Sequence, residues 1–443
     1  MTDMNRRDLL RTAGLSLAGF SMSGWMSQLA NAAAADPKRK RHCILLWMPG
    51  GATQTDTFDM KPNHDNGGEF KEIATSVPGL RFSEHLPRLA KQAENLAVIR
   101  SLSTAEGDHS RGTYLMYTGH RPGGPIGFPT MGSSISKALG SKDAELPNFI
   151  SISPYTAFNN AAFGPGFLGP RFAPLTVGAS NVFQQQQQQD QNGYAALGVD
   201  DLDHPGVGGE QANARLDLWN TLQSGFLRTH ASSSPTAQNT VYQRAVRMMR
   251  SEAAKAFDLA EESDKVRDEY GRGRFGQGCL MARRLVERGV PFIEISLRGT
   301  AGGALGWDTH GQNFPRVKAL SEELDAGWAT LMTELKSRGL LESTTIIWLG
   351  EFGRTPKINR NKGRDHFPRA WTSVIAGGGI KGGQAYGKTD AGGENVEENK
   401  VDVPDVLATL CRALGLDPGT QNISELGRPI RIAEGKPIED ILA

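Results

Sequence analysis

Histidine and carboxylate side chains are concentrated in three neighbouring loops in the last third of this 443-residue sequence. Asp308 and His310 share the first loop, Glu351 stands in the second and His366 in the third. Oxygen and imidazole nitrogen donors of these kinds suit zinc, manganese or iron. Although a single histidine is more often structural, the three loops together predict one divalent-metal site, with zinc or manganese as the expected ion.

A second group of reactive side chains, His109, Ser110 and Arg111, stands where the sequence predicts the start of a helix. Backbone N–H groups and the helix dipole favour negative charge at such a position. We therefore predict an anion-binding catalytic pocket, in which His109 is a general acid or base, Ser110 a candidate nucleophile and Arg111 the anion-binding group. An equally good interpretation is that Asp108 or Ser110 only caps the helix.

Short apolar runs, separated by amphipathic segments, indicate the elements that position these loops. Between Val317 and Leu335, apolar residues recur at spacings of three and four, which predicts one long helix over residues 315–337. Strands that alternate with helices predict an α/β fold, with a mainly parallel central sheet and helices on both faces. The predicted strands are Cys43–Met48, Leu96–Ile99, Phe149–Ile152, Pro291–Ile295, Thr345–Leu349 and Trp371–Ile375.

The loops with the candidate metal ligands adjoin the carboxyl ends of predicted strands, where the active sites of α/β proteins lie. A right-handed crossover through the helix at 315–337 would join two parallel strands. Asp308, His310 and Glu351 are therefore expected at the same edge of the sheet.

The amino-terminal residues have the order of a twin-arginine export signal, which we place at residues 1–35. Arg6 and Arg7 precede a modestly apolar stretch and a series of small residues typical of a cleavage site. Residues 36–443 are predicted to form one large α/β domain. Within it, glycine, proline and asparagine residues predict an irregular insertion at about 159–209, and helical periods predict a helical excursion at about 211–289.

The signal predicts export by the twin-arginine machinery to the periplasm or another exported location. Its apolar stretch is interrupted by serine and glycine, so we expect no transmembrane span, which needs about 20 apolar residues; an uncleaved amphipathic anchor is the alternative. With 49 Lys and Arg against 48 Asp and Glu, the net charge of +1 gives no reason to expect nucleic acid as a partner. The three cysteines lie far apart in apolar contexts and predict buried thiols.

Two segments are similar to sulfatases. In His109–Gly119 a Ser-Arg pair is followed by Leu, Thr and Gly, and Asp402–Leu410 resembles a late sulfatase helix. On these segments and the loops above, the chain is identified as a member of the domain-of-unknown-function 1501 family, a sulfatase-like branch of the alkaline phosphatase superfamily. The resemblance implies an alkaline phosphatase/sulfatase-like fold over nearly the whole mature chain. By position it also implies metal-binding roles for Asp308, His310, Glu351 and His366.

The resemblance implies a metal-dependent hydrolase of phosphate or sulfate esters, with an anionic ester or glycan as substrate. The sequence departs from the superfamily pattern in four respects. Asp308 and His310 are two positions apart instead of four, and no acidic residue directly follows the first predicted strand. Gly107 stands at the nucleophile position and Phe352 in place of a paired histidine. The last two departures favour an alternative, a non-catalytic sulfatase-like binding or accessory protein of the cell envelope. A structural envelope protein that docks through its helical region is a third hypothesis.

Overall fold

The first strand, β1 (His42–Trp47), is buried along its whole length and lies inside the central sheet. Its side chains alternate between two apolar cores, with Leu45 and Trp47 in one and Ile44 and Leu46 in the other. A strand that is covered on both faces needs apolar residues at successive positions. This requirement explains the uninterrupted apolar run in the sequence.

The structure is a computed structural model that describes residues 41–178, 189–200, 202, 209–229, 233–299 and 306–443. These described residues belong to one compact unit. The predicted signal at residues 1–35 and residues 184–188 of the glutamine run lie outside the described residues.

Seven further strands complete the central sheet: β2 (Leu96–Leu102), β3 (Phe149–Ile152), β4 (Leu175–Val177), β5 (Phe292–Ser296), β6 (Thr344–Leu349), β7 (Trp371–Gly377) and β8 (Gln384–Tyr386). Their order is β8-β2-β7-β6-β1-β5-β3-β4, and only β7 runs antiparallel to its neighbours. The predicted mainly parallel sheet and its six predicted strands are confirmed. The sequence does not predict β4 and β8, because strands of three residues are too short to show an apolar run.

Helices cover both faces of the sheet, as predicted. The α-helices of the described residues are α1 (Pro87–Ala90), α2 (His109–Thr118), α3 (Met131–Leu139), α4 (Gly209–Thr229), α5 (Ser233–Met249), α6 (Asp264–Tyr270), α7 (Arg274–Glu287), α8 (Asn313–Ser337) and α9 (Val403–Ala413). Residues of α2, α3 and α9 share a core with one face of the sheet, and residues of α1, α7 and α8 with the other. Within the described residues, no helix is both long and apolar enough to cross a membrane.

Short antiparallel ribbons lie outside the central sheet. Their paired strands are Glu72–Ala74 with Arg81–Ser83, Gly353–Arg354 with His366–Phe367, Lys388–Thr389 with Val396–Glu398, and Gln421–Ile423 with Pro429–Arg431. The second ribbon follows β6 directly and carries one of the predicted metal ligands.

Helix α8 connects β5 to β6, which lie on either side of β1. Leu324, Trp328 and Leu335 of its apolar stripe are buried, as their spacing predicts. Because β5 and β6 both run parallel to β1, the loops that follow them lie at the same edge of the sheet. The position expected for Asp308 and Glu351 follows from this connection.

The predicted helical region at 211–289 contains most of α4 and all of α5, α6 and α7. Glu252–Phe257 differs, since it forms a 3-10 turn, capped by the Ser251 side chain at the N–H of Ala253. In the predicted insertion at 159–209, the described residues between β3 and β4 form three 3-10 turns. The boundaries of both regions stay predictions, whereas the three cysteines are buried and free, as predicted.

Candidate metal centre

Three histidines and one aspartate converge at the carboxyl edge of the sheet. Oδ1 of Asp308 lies 3.1 Å from Nε2 of His310, 3.4 Å from Nε2 of His109 and 3.6 Å from Nε2 of His366. The Nε2 atoms of His310 and His366 are 3.0 Å apart. These side chains come from three separate segments of the sequence, so the cluster exists only in the folded chain.

Each of the three imidazole rings is held from its far side by a protein oxygen atom. These contacts join Nδ1 to an acceptor, at 2.6 Å for His109 with Glu351 Oε1, 2.7 Å for His310 with Asp365 Oδ1 and 2.8 Å for His366 with the Gly107 carbonyl. In a neutral ring, an acceptor at Nδ1 places the proton there and leaves the lone pair of Nε2 directed at the cluster. Metal-binding histidines in proteins usually have this arrangement.

His109 is fixed by the way helix α2 begins. Asp108 is the N-cap, and its side chain accepts a hydrogen bond from the N–H of Arg111, so that the helix starts at His109. Gly112 faces the loop after β6, where a Cβ atom would come within 3.1 Å of the Phe352 ring and 3.3 Å of Glu351. The missing side chain lets α2 approach this loop closely enough for His109 to reach Glu351.

Asp308 is anchored by Arg354, whose side chain is fully buried. Nη2 of Arg354 lies 2.5 Å from Asp308 Oδ1, while Nε donates to the Gly51 carbonyl and Nη1 to the Arg364 carbonyl, both at 3.2 Å. Arg354 also pairs with His366 in the short ribbon after β6. One ribbon therefore places both the partner of the carboxylate and a histidine of the cluster.

The charges of the cluster stabilise one another. Burial disfavours the charged form of His109, but the neighbouring carboxylates of Asp308 and Glu351 outweigh burial and raise its pKa to about 9. Burial also opposes ionisation of Asp308, yet His109, His366 and Arg354 hold the pKa of this carboxyl well below its usual range. Asp308 is therefore a carboxylate at neutral pH, as a metal ligand must be.

Aromatic rings enclose His109. Its ring stacks on Phe158 with the centroids 4.1 Å apart, and the Phe352 ring lies 5.1 Å away. Phe352 thus contributes an apolar wall beside His109. The two rings restrict the rotation of His109 and shield it from water.

The structure separates the three residues that the sequence predicts to be catalytic. His109 belongs to the cluster, whereas the Ser110 hydroxyl accepts a hydrogen bond from Nδ2 of Asn159 at 3.2 Å. Arg111 forms a two-pronged pair with Glu106, at 2.6 and 3.0 Å. The Glu106 carboxylate occupies the fork with which Arg111 is predicted to bind an anion.

Three of the four predicted metal ligands stand in the cluster, namely Asp308, His310 and His366. The fourth, Glu351, contacts His109 from behind. Sequence reasoning missed Asp365 and Arg354 as partners of the cluster. Asp365 has a local signal, because it directly precedes His366, whereas the contact of Arg354 with Asp308 spans 46 residues and has none.

The described residues fit a divalent ion. One ligand atom from each of His109, Asp308 and His366 lies within 4.8 Å of the other two. Nε2 of His109 is buried and has no hydrogen-bond partner among the described residues. Imidazole nitrogens together with a carboxylate oxygen are a donor set that suits zinc and manganese.

Fold and site together define an α/β protein with a histidine and carboxylate cluster at the carboxyl edge of a mainly parallel sheet. The chain belongs to the family described as protein of unknown function, DUF1501, whose sequence profile matches residues 40–442. The family predicted from His109–Gly119 and Asp402–Leu410 is thereby confirmed. No curated protein matches the chain.

Solved structures that are similar to this chain include sulfatases and members of the alkaline phosphatase superfamily. The PsFucS1 sulfatase from Pseudoalteromonas sp. is 12% identical, with 89% of this chain and 72% of that chain covered and a TM-score of 0.38. A protein in the alkaline phosphatase superfamily from Vibrio parahaemolyticus is 13% identical over 88% and 74% of the two chains, with a TM-score of 0.37. For alkaline phosphatase from the Antarctic bacterium TAB5, the identity is 10%, the coverage 85% and 99%, and the TM-score 0.38.

Proposed function

We propose that this protein is an exported, single-metal hydrolase of phosphate or sulfate esters. The observation that carries the proposal is the orientation of His109, His310 and His366, whose Nδ1 atoms are held by oxygen acceptors while their Nε2 atoms face Asp308. Polar groups that are buried without hydrogen-bond partners destabilise a fold, unless a bound ligand interacts with them. A metal ion is the ligand that this donor set suits.

The side chains that would hold the ion are His109, His310, His366 and Asp308. When bound there, a divalent ion polarises an ester oxygen or lowers the pKa of water. Glu351 orients His109, and Asp365 orients His310. Two sequence predictions change as a result, because His109 becomes a ligand rather than a general acid or base, and Glu351 a positioning residue rather than a ligand.

Arg298 is the residue that we assign to the anionic group of the ester, in place of Arg111. It follows β5 directly and lies half-buried, with its guanidinium 5.7 Å from the centre of the Tyr155 ring. Burial and the like charge of Arg274 lower the pKa of Arg298, and no carboxylate of the described residues pairs with it. The Tyr155 ring in turn lies 4.8 Å from the Phe158 ring, which stacks on His109, so a chain of aromatic contacts connects Arg298 with the cluster.

A non-catalytic metal-binding or anion-binding accessory protein is the second candidate. One observation favours it. At the position of the superfamily nucleophile, Gly107 offers only a backbone carbonyl, which accepts from His366, and the nearby Ser110 hydroxyl is engaged by Asn159. Hydrolysis in this protein therefore requires water as the nucleophile. A site that does not activate water would bind a metal ion or an anion without turning over an ester.

Metal analysis of the mature protein, purified without chelators, tests the proposal. We expect about one equivalent of zinc or manganese, which Asp308→Ala and His366→Ala remove because each loses a ligand. His64→Ala, in an exposed loop outside the cluster, is the matched control. Turnover of 4-nitrophenyl phosphate or sulfate that is lost together with the metal selects the hydrolase. Bound metal without turnover selects the accessory protein, and a wild-type protein without metal contradicts both.

A further inference from the structure

A cavity lies at the edge of the sheet opposite to the candidate metal centre. It opens beside Phe149, the first residue of β3, and has a volume of about 340 Å³. This size falls in the range of about 300 to 1,000 Å³ that is typical of small-molecule sites. Its walls come from the end of α3, the loop before β3, the turn before β4 and helix α5. Five of its lining residues are cationic: Lys137, Lys142, Arg171, Arg244 and Arg247.

No aspartate or glutamate is among the lining residues of this cavity. For none of its five cationic side chains does a nitrogen atom lie within 4.0 Å of a carboxylate oxygen of the described residues, the distance that defines an ion pair. Two acidic residues, Asp143 and Glu145, stand next to lining residues in the sequence, but both are exposed and neither lines the cavity. Glu145 borders the adjoining groove and accepts a hydrogen bond from the Ser251 hydroxyl. Within the described part of the chain, no carboxylate forms an ion pair with the cations of the cavity.

Neutral groups, rather than acids, hold the cationic side chains in place. Nη1 of Arg244 donates to the Arg171 carbonyl at 2.7 Å, and Nζ of Lys137 donates to Oδ1 of Asn422 at 2.6 Å. Lys137 and Arg171 also lie 5.8 and 5.7 Å from the centre of the Phe172 ring. Such contacts fix the positions of the charges without neutralising them, so several guanidinium and ammonium groups stay available to one ligand.

The pKa values of two cationic side chains are lowered, as expected for cations without a carboxylate partner. Burial lowers the pKa of Arg244, and the like charge of Arg171 lowers it further. Burial also lowers the pKa of Lys137. An anion in the cavity would reverse both effects by favouring the charged forms.

We propose that this cavity binds a small polyanion that carries at least two phosphate or sulfate groups. The guanidinium groups of Arg171 and Arg244 suit two-pronged contacts with such oxygens, and Lys137 supplies a point charge. Two anionic groups match this charge better than one, since five cationic side chains surround a single cavity. This anion site is separate from the metal centre. Binding at this site is independent of the proposed hydrolase activity.

Calorimetric titration of the full mature protein with pyrophosphate tests this site. We expect saturable binding of one pyrophosphate, with a Kd raised at least tenfold in Arg244→Gln and in Arg171→Gln. Arg250→Gln is the matched control, because Arg250 follows the last residue of α5, does not line the cavity and bonds to Asn213 outside it. All titrations are repeated in the Asp308→Ala background, so that binding at the metal centre does not contribute.

Retained binding in the Asp308→Ala background, together with its loss in Arg244→Gln, supports the proposal. It is overturned if Arg250→Gln weakens binding as much as Arg244→Gln, if Asp308→Ala removes the binding, or if the wild type binds no pyrophosphate. Lys142→Gln covers the case in which a buried-site variant fails to fold, because Lys142 is exposed. In that variant we expect a several-fold rise in Kd at an unchanged melting temperature, and an unchanged Kd contradicts the site.

Discussion

Glu351 and His109 are joined by a contact of 2.6 Å between Oε1 and Nδ1, although 242 residues separate them in the sequence. The same Oε1 accepts a hydrogen bond from the Gly50 N–H at 2.9 Å, and the Glu351 side chain is fully buried. One carboxylate thus links the loop after β1, the loop after β6 and the start of α2. Because Glu351 holds Nδ1 of His109, the Nε2 atom is the nitrogen that faces Asp308.

Replacing Glu351 by glutamine should weaken metal binding without removing a ligand. We expect metal affinity to fall by about 10-fold to 100-fold, the usual effect of losing the partner that orients a metal-binding histidine. Competition with a chromogenic chelator measures the change. The control is Glu398→Gln, on an exposed ribbon. Equal affinities of wild type and Glu351→Gln would show that Glu351 has no part in the site.

Arg298→Gln should impair the use of anionic esters while leaving metal content unchanged. We expect kcat/KM for an aryl sulfate or phosphate to fall at least tenfold, or about 1.4 kcal/mol, because no carboxylate of the described residues competes with the ester for the guanidinium. Inhibition by inorganic sulfate should weaken in parallel. Arg272→Gln is the control, since Arg272 is exposed and paired with Asp268. An unchanged inhibition constant for sulfate would exclude Arg298 from anion binding.

The buried carboxyl of Glu294 should make stability depend on pH. Burial raises its pKa to about 7, against the opposing hydrogen bond from the Tyr117 hydroxyl at 2.9 Å. Between about pH 4.5 and 7 the folded protein holds this proton and the unfolded chain does not, so this group lowers stability as pH rises. The full effect is on the order of 3 kcal/mol.

Glu294→Gln should remove this contribution, because a neutral amide keeps the contact with Tyr117 and never ionises. Urea unfolding at pH 5 and pH 8 measures the difference between variant and wild type. We expect the variant to gain about 1 to 3 kcal/mol over the wild type on going from pH 5 to pH 8. The same difference at both pH values would mean that Glu294 does not titrate in this range.

Export by the twin-arginine machinery is tested by changing both Arg6 and Arg7 to lysine. We expect the precursor to accumulate in the cytoplasm, because the paired arginines are the distinguishing feature of the signal. Cell fractionation with an antibody against the mature protein measures the distribution. A periplasmic protein whose signal has no twin arginines serves as the control, and undiminished export of the double variant would rule out this route.

The sequence by itself determined the class of fold and the position of the loops. Short apolar runs such as Cys43–Met48 indicate strands that are covered on both faces, and the spacing of Leu324, Trp328 and Leu335 indicates an amphipathic helix. Once this helix joins two parallel strands, Asp308 and Glu351 must emerge at one edge of the sheet. Local patterns were enough for these conclusions, because periodicity and burial act over a few neighbouring residues.

Only the tertiary structure decided what each polar residue does. In the sequence Glu351 is a predicted metal ligand and His109 a predicted general acid or base. Which of the two faces Asp308 depends on how closely Gly112 lets α2 approach the loop after β6. The anion-binding fork of Arg111 is occupied by Glu106, while Arg298 has no carboxylate partner among the described residues. Contacts of this kind depend on distances of a few tenths of an ångström between distant segments, and no local pattern in the sequence records them.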